Sequence, residues 1–347
     1  MSKQVFEKIK RLFENFFQTD RPSKNEKESW TLWSVGETVL RTLKLLSNVF
    51  FVFVFLGCLF GGGIALGYGA RIFDKVETPK KEELIKKIQD ISTISELKYA
   101  DGSSISAIDS DLLRVPIKSK DISDNVKKAV IATEDENFRK HNGVVTKAVL
   151  RATLGSVAGI GSSSGGSTLT QQLIKQQVVG DAPTFSRKAS EIIDALALER
   201  YMSKDDILTT YLNVAPFGRN NKGQNVAGVE EAAQGIFGVP ASKLTIPQAA
   251  FIAGLPQSPI VYSPYAADGS LKSAKDMTFG LNRAKNVIYN MYRTGAISKN
   301  EYQLYKDYDL KRDFLPSDTT SARTHDYLYY VAMKEAQKAM YEYLIRR

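Results

Sequence analysis

The sequence predicts a mainly α-helical protein, with one membrane-crossing helix near its start and a small β-hairpin ahead of the helical body. Three observations lead there. Residues 45–70 carry no charge. From about Ser123 onward, apolar residues recur at helical spacing behind capping residues. Strand-like alternation is confined to 92–118. The 347 residues are 43% hydrophobic and 24% charged, enough to fill a packed core and unlike a disordered chain. The net charge of +9 suits lipid, phosphate or nucleic acid and does not choose among them. A single cysteine, Cys58, excludes an intrachain disulfide. With only His141 and His325 beside it, the donors of a usual zinc site are lacking. An acidic magnesium or manganese site stays open.

Residues 1–44 mix basic and polar residues with aromatic pairs such as Phe16-Phe17 and read as a cytoplasmic tail. Residues 45–70 exceed the roughly 20 apolar residues that cross a bilayer. A cleaved signal peptide has a shorter apolar core, about 7–15 residues. Phe55-Leu56-Gly57-Cys58 resembles a lipoprotein cleavage site, but the apolar run continues past Cys58. A buried core helix would rarely lack charge for so long. Lys3, Lys8, Lys10, Arg11, Arg21, Lys24, Lys27, Arg41 and Lys44 precede the span, against Arg71, Lys75, Lys80 and Lys81 after it. The bias is modest and puts the N-terminus in the cytoplasm, the rest outside.

Residues 71–119 read as an extracytoplasmic linker. Its 80–90 segment has helical charge spacing, and a hairpin is expected to turn at Asp101-Gly102. A helical domain is expected over 120–290, with helix starts at Ser203 and Thr245 and loops at 155–166, 216–228 and 254–264. Residues 291–347 are aromatic-rich and helical, and read as the start of a linker to a C-terminal domain absent from this sequence.

Four blocks carry chemistry. Glu134-Asp135-Glu136-Asn137-Phe138-Arg139-Lys140-His141-Asn142-Gly143 follows an apolar helix and alone reads as a solvated acidic end. Gly165-Gly166-Ser167-Thr168-Leu169-Thr170-Gln171-Gln172 opens a helix with hydroxyls and free N–H groups that suit an anion, or forms an ordinary cap. In Arg187-Lys188-Ala189-Ser190-Glu191, Arg187 and Glu191 share a helix face, which alone is a surface ion pair. Tyr211-Leu212-Asn213, Phe217-Gly218 and Phe237-Gly238 read singly as core and turn.

In order and spacing these blocks, with Leu255-Pro256-Gln257-Ser258-Pro259, resemble the peptidoglycan glycosyltransferase (family 51) domain of class A penicillin-binding proteins. The anchor region and loops look closest to streptococcal members. The resemblance covers 120–290 and implies a lysozyme-like glycosyltransferase domain. It departs at Ile236, where the family often has tyrosine, and in the polar loop Arg219 to Asn225. It implies that lipid II is polymerised into β-1,4-linked glycan by an inverting displacement that releases undecaprenyl pyrophosphate. Glu134 is then the general base. Glu191 lies by the leaving pyrophosphate and acts directly or by orienting a divalent cation, magnesium or manganese, that Glu134 and Glu191 would hold. Lys175, Arg187 and Lys188 neutralise phosphate. Gly165, Ser167, Thr168, Thr170, Gln171, Gln172 and Asn213 bind substrate. Asp135, Phe138 and His141 shape the cleft, His141 being the weaker alternative base.

Implied partners are lipid II, the growing lipid-linked glycan, the cell membrane, division or elongation proteins and a moenomycin-type inhibitor. Nucleic acid is not expected, since the charge is spread and faces the wrong compartment. Residues 144–160 mix apolar side chains with Lys147 and Arg151, as a helix in the headgroup region or a core helix would. Ser95-Glu96-Leu97-Lys98 and Ser123-Asp124-Asn125 match two transpeptidase motifs literally, but both precede the main block and no Lys-Thr-Gly follows. Penicillin binding is therefore not expected of this sequence. Rival readings are a lytic, glycan-cleaving enzyme of the same fold and an inactive membrane-anchored scaffold. The intact acid pair and the basic cluster disfavour both.

Overall fold

The computed structural model describes residues 7, 32–74, 78–91, 96–98, 104–107, 113–149, 166–182, 184–318 and 327–345. Two compact units are present, Met1–Gly67 and Tyr68–Arg347. Most described residues are helical.

The first unit is built on the part up to Gly67 of α1 (Leu32–Asp74), a helix about 65 Å long at ~1.5 Å per residue. Its segment Thr38–Ile64 has a mean hydropathy of 2.2, and none of that window is buried inside the protein. Phe50, Phe53, Phe55 and Phe60 are all exposed. Uncovered apolar side chains on every face are what a helix in lipid presents.

In the second unit α2 (Lys81–Gln89) comes first, with Leu84 and Ile88 buried. Strands β1 (Glu96–Lys98) and β2 (Ser104–Ala107) pair antiparallel. The Asp101-Gly102 turn expected between them lies outside the described residues, as do 150–165, which include most of the expected 155–166 loop. Next come α3 (Asp124–Glu134), α4 (Leu169–Ile174), α5 (Phe185–Tyr201) and α6 (Lys204–Val214). Each of these starts is capped by a side-chain oxygen, from Ser123, Thr168, Thr184 and Ser203. A π-helical turn, Lys175–Val179, extends α4.

Strands β3 (Pro216–Arg219) and β4 (Asn225–Ala227) form a hairpin where the sequence pattern suggested only loop. Asn220 organises its turn: its Oδ1 accepts from the N–H groups of Lys222 and Gln224, each at 3.0 Å. Helix α7 (Val229–Phe237) follows, then α8 (Ile246–Gly254), α9 (Pro259–Tyr262), α10 (Ala274–Arg293), α11 (Lys299–Tyr305) and α12 (Tyr327–Ile345).

Helix α8 is the centre of the core. It is apolar all round, every residue after Ile246 is buried, and α3 and α10 pack on it. Gly280 permits α10 to approach the end of α9, since a Cβ there would lie 2.2 Å from the Tyr262 carbonyl oxygen. This packing fixes the end of α3 beside α10. Helix α4 packs on α5 and α6, and α2 packs on α5. The ends of α3 and α4 and the first turns of α5 thus carry the motif residues.

Candidate active site

The chain leaves α3 at Glu134 and turns through the acidic block. Asp135 fixes that turn: its carboxylate accepts from the Leu169 N–H at 3.0 Å and pairs with His141 Nε2 at 2.9 Å. The Gly143 N–H donates to His141 Nδ1 at 3.1 Å, so Nε2 carries the proton given to Asp135. Neither ring nitrogen is left for a substrate proton. Gly143 has φ +89°, and a Cβ there would sit 2.6 Å from the Ala195 carbonyl oxygen. Its own carbonyl accepts from the Thr168 hydroxyl, which binds the acidic turn to the start of α4.

A buried ion pair supports this turn from below. Lys204 donates to Glu199 Oε1 and to the His141 carbonyl, both at 2.7 Å, and sits 4.5 Å from the Phe138 ring centre. Thr170 donates to the same Glu199 oxygen at 2.6 Å. Lys204→Met should cost about 3 kcal/mol, because it strands the charge of Glu199, whose side chain is 5% exposed. Urea unfolding measures the loss, and Glu199→Met added to Lys204→Met should recover part of it.

Glu134 and Glu191 are each held by a side chain of α4. Arg283 Nη2 donates to Glu134 Oε1 at 3.1 Å, and Gln172 Nε2 donates to Oε2 at 3.2 Å. The Tyr211 hydroxyl donates to Gln172 Oε1 at 3.1 Å and sets which way that amide faces. Burial, and then the Glu134 charge, push the Tyr211 phenol well above its usual range, so it stays a donor. The neighbouring Gln171 donates to Glu191 Oε1 at 3.1 Å. Adjacent glutamines on one helix therefore each hold one of the two acids.

Glu191 is held on its own helix too. Arg187 Nη1 donates to Oε2 at 2.6 Å and Lys188 to Oε1. Lys188 also reaches Ser167 Oγ at 2.9 Å. The first turn of α5 has no acidic residue and carries these two cations against the helix dipole. Cations beside exposed-end N–H groups make an anion site. Arg187 Nε and Arg283 Nε are buried donors without a partner, so both guanidinium groups keep a hydrogen bond to give.

A divalent cation does not fit the acids as they stand. Both oxygens of Glu191 are taken by Arg187, Lys188 and Gln171, and no group of three His, Cys, Asp or Glu gathers among the described residues.

The remaining expected site residues fall as follows. Lys175 is exposed and pairs with Asp181 at 2.6 Å, with no bond to either acid. Asn213 is not brought to the acids: its amide donates to the Ile117 carbonyl at 2.8 Å and accepts from the Ile117 N–H at 3.0 Å. Gly165 lies outside the described residues. Sequence reasoning missed Arg283, Tyr211, Lys204 and Glu199. Tyr211 stood inside a noted motif and was read as core. Lys204 follows a noted helix cap, while nothing local marks Arg283.

The protein-family description "Transglycosylase" matches residues 101–292. Penicillin-binding protein 1A of Clostridium botulinum strain Hall is 32% identical over 306 residues, 85% of this chain and 34% of that protein. Penicillin-binding protein 2a of Streptococcus pneumoniae strain D39 is 38% identical over 213 residues, 61% of this chain and 26% of that protein. Penicillin-binding protein 1A of Pseudomonas aeruginosa is 31% identical over 262 residues, 75% of this chain and 29% of that protein. The chain spans about a third of the length of the first curated relatives it matches.

Proposed function

The chain belongs to the transglycosylase family, and on that premise we propose that it is a peptidoglycan glycosyltransferase of the class A penicillin-binding type, polymerising lipid II into β-1,4-linked glycan. The helical domain is taken to be lysozyme-like. By its anchor region and loops we take it to resemble streptococcal penicillin-binding protein 1b. Helix α1 anchors it with the N-terminus in the cytoplasm and the catalytic domain outside. Division or elongation proteins are its proposed partners, and moenomycin its proposed inhibitor.

Glu134 takes the proton from the 4-hydroxyl of the acceptor lipid II as that oxygen attacks the donor's anomeric carbon. The bond from that carbon to the pyrophosphate oxygen breaks, and the carbon inverts. Inversion in one displacement needs the base and the leaving group on opposite sides of the sugar, the reason inverting glycosidases hold two carboxyls apart. Arg187 and Lys188 take the charge that builds on the pyrophosphate. Glu191 keeps those two cations in place. Gln171 and Gln172 hold the two acids in register, Ser167 lines the approach beside Lys188, and Thr168, buried as the cap of α4, keeps that helix start in place.

One observation supports this reading above the others: two acids far apart in sequence are held by adjacent glutamines of one helix, and the arginine paired with each retains a buried, unused donor. A lytic enzyme needs only one acid and no paired cations. Incubating the full chain with lipid II tests the proposal. Glycan polymer and undecaprenyl pyrophosphate should appear, moenomycin should stop both, and mature cell wall should stay intact. Wall cleavage without polymer would sink it.

A further inference from the structure

Helix α8 ends where the Leu255-Pro256-Gln257-Ser258-Pro259 block begins, and that block carries no charged group. The Leu255 N–H bonds to the Ile252 carbonyl, and Pro256 has no N–H to carry the helix further. Gly254 is therefore the last residue of α8. It is buried and has ordinary helical backbone, φ −80° and ψ −23°. Any residue can adopt that conformation, so the backbone does not require glycine here. The requirement is space. A Cβ on Gly254 would lie 2.7 Å from Arg283 Cγ and 3.6 Å from Val287 Cγ2, both on α10.

The Arg283 stem thus crosses the end of α8 where a methyl group is missing. From there its Nη2 reaches Glu134 Oε1 at 3.1 Å. The overlap would fall at Cγ, near the root of the side chain, so relieving it swings the whole guanidinium. Glu134 is the last residue of α3, where the helix dipole disfavours a carboxylate. Gln172, which holds its other oxygen, is neutral. Arg283 supplies the counter-charge, and its buried Nε shows how little water reaches that guanidinium.

We propose that Arg283 is a positioning residue for Glu134 and that Gly254 is its seat: the bare end of α8 lets the Arg283 stem cross and hold the carboxylate in place for the acceptor hydroxyl. This rests on the proposed role of Glu134 as the base. Both residues act through Glu134. A reacting group misplaced by about 1 Å can lose about a hundredfold in rate.

Two double-variant cycles on the full chain in detergent test this. The first reads the seat by urea unfolding, without any enzymatic assay. Gly254→Ala should lower the unfolding midpoint of the wild type. In an Arg283→Ala background it should leave the midpoint unchanged or raise it, because no stem opposes the new methyl and alanine suits a helix better than glycine. The second cycle reads lipid II polymerisation per folded protein. Arg283→Met should lower kcat about a hundredfold with KM nearly unchanged, and Arg283→Lys, which keeps the charge, should regain about tenfold of that. Gly254→Ala should lower kcat about tenfold alone and by less than about twofold on top of Arg283→Met. Equal losses from Gly254→Ala in both backgrounds, of midpoint or of rate, would overturn the proposal. Glu134→Gln, run alongside, separates the two claims. If it polymerises normally, the base assignment falls and this role of Arg283 with it. An inactive Glu134→Gln beside a fully active Arg283→Met removes Arg283 alone.

Discussion

Glu134→Gln is expected to lower lipid II polymerisation about a hundred- to ten-thousandfold, the range a general base supplies. Glutamine keeps the shape of the side chain and can still meet Gln172 and Arg283. What it lacks is a site that accepts the acceptor's proton. The change also leaves the Arg283 guanidinium without its counter-charge, in a pair whose side chains are 19% and 13% exposed. A loss of stability should therefore accompany the loss of rate. Thermal unfolding separates the two, since rates measured well below the variant's melting point refer to folded enzyme. Polymerisation within tenfold of wild type by folded Glu134→Gln would remove Glu134 from its role. His141 could not readily replace it, because Asp135 and the Gly143 N–H already engage both ring nitrogens.

The parts of this site that were legible in the sequence are those set by local rules. Thr168, Ser203 and Thr245 announce their helices because a cap needs only a side-chain oxygen and an N–H two or three residues on. The spacing of Arg187 and Glu191 places both on one helix face before any coordinates exist. Arg283 was not legible. It meets Glu134 across 149 positions, and nothing in its own helix distinguishes it from the other cations there. Asn213 shows the opposite failure. Its residue type suits sugar hydroxyls, but its amide closes on the backbone of Ile117. Strands β3 and β4 are four and three residues long, too short for alternation to register, and their pairing depends on Asn220 in the turn.

Replacing Glu191 should damage both fold and function, and the two losses can be pulled apart. Its side chain is 2% exposed, against 17% for Arg187 and 34% for Lys188. Glu191→Gln leaves two adjacent cations in the first turn of a helix, where the dipole already opposes them. We expect a loss of about 3 kcal/mol, the low end for a broken buried pair, because water reaches Lys188. Polymerisation should fall about a hundredfold or more as the pyrophosphate site loses its geometry. Arg187→Met combined with Glu191→Met replaces the pair by apolar side chains of similar reach, an exchange that is often neutral for stability. The double variant should therefore unfold close to wild type while remaining inactive on lipid II. If it recovered activity together with stability, Arg187 and Glu191 would be scaffolding for the helix, and the leaving group would have to be met by residues elsewhere.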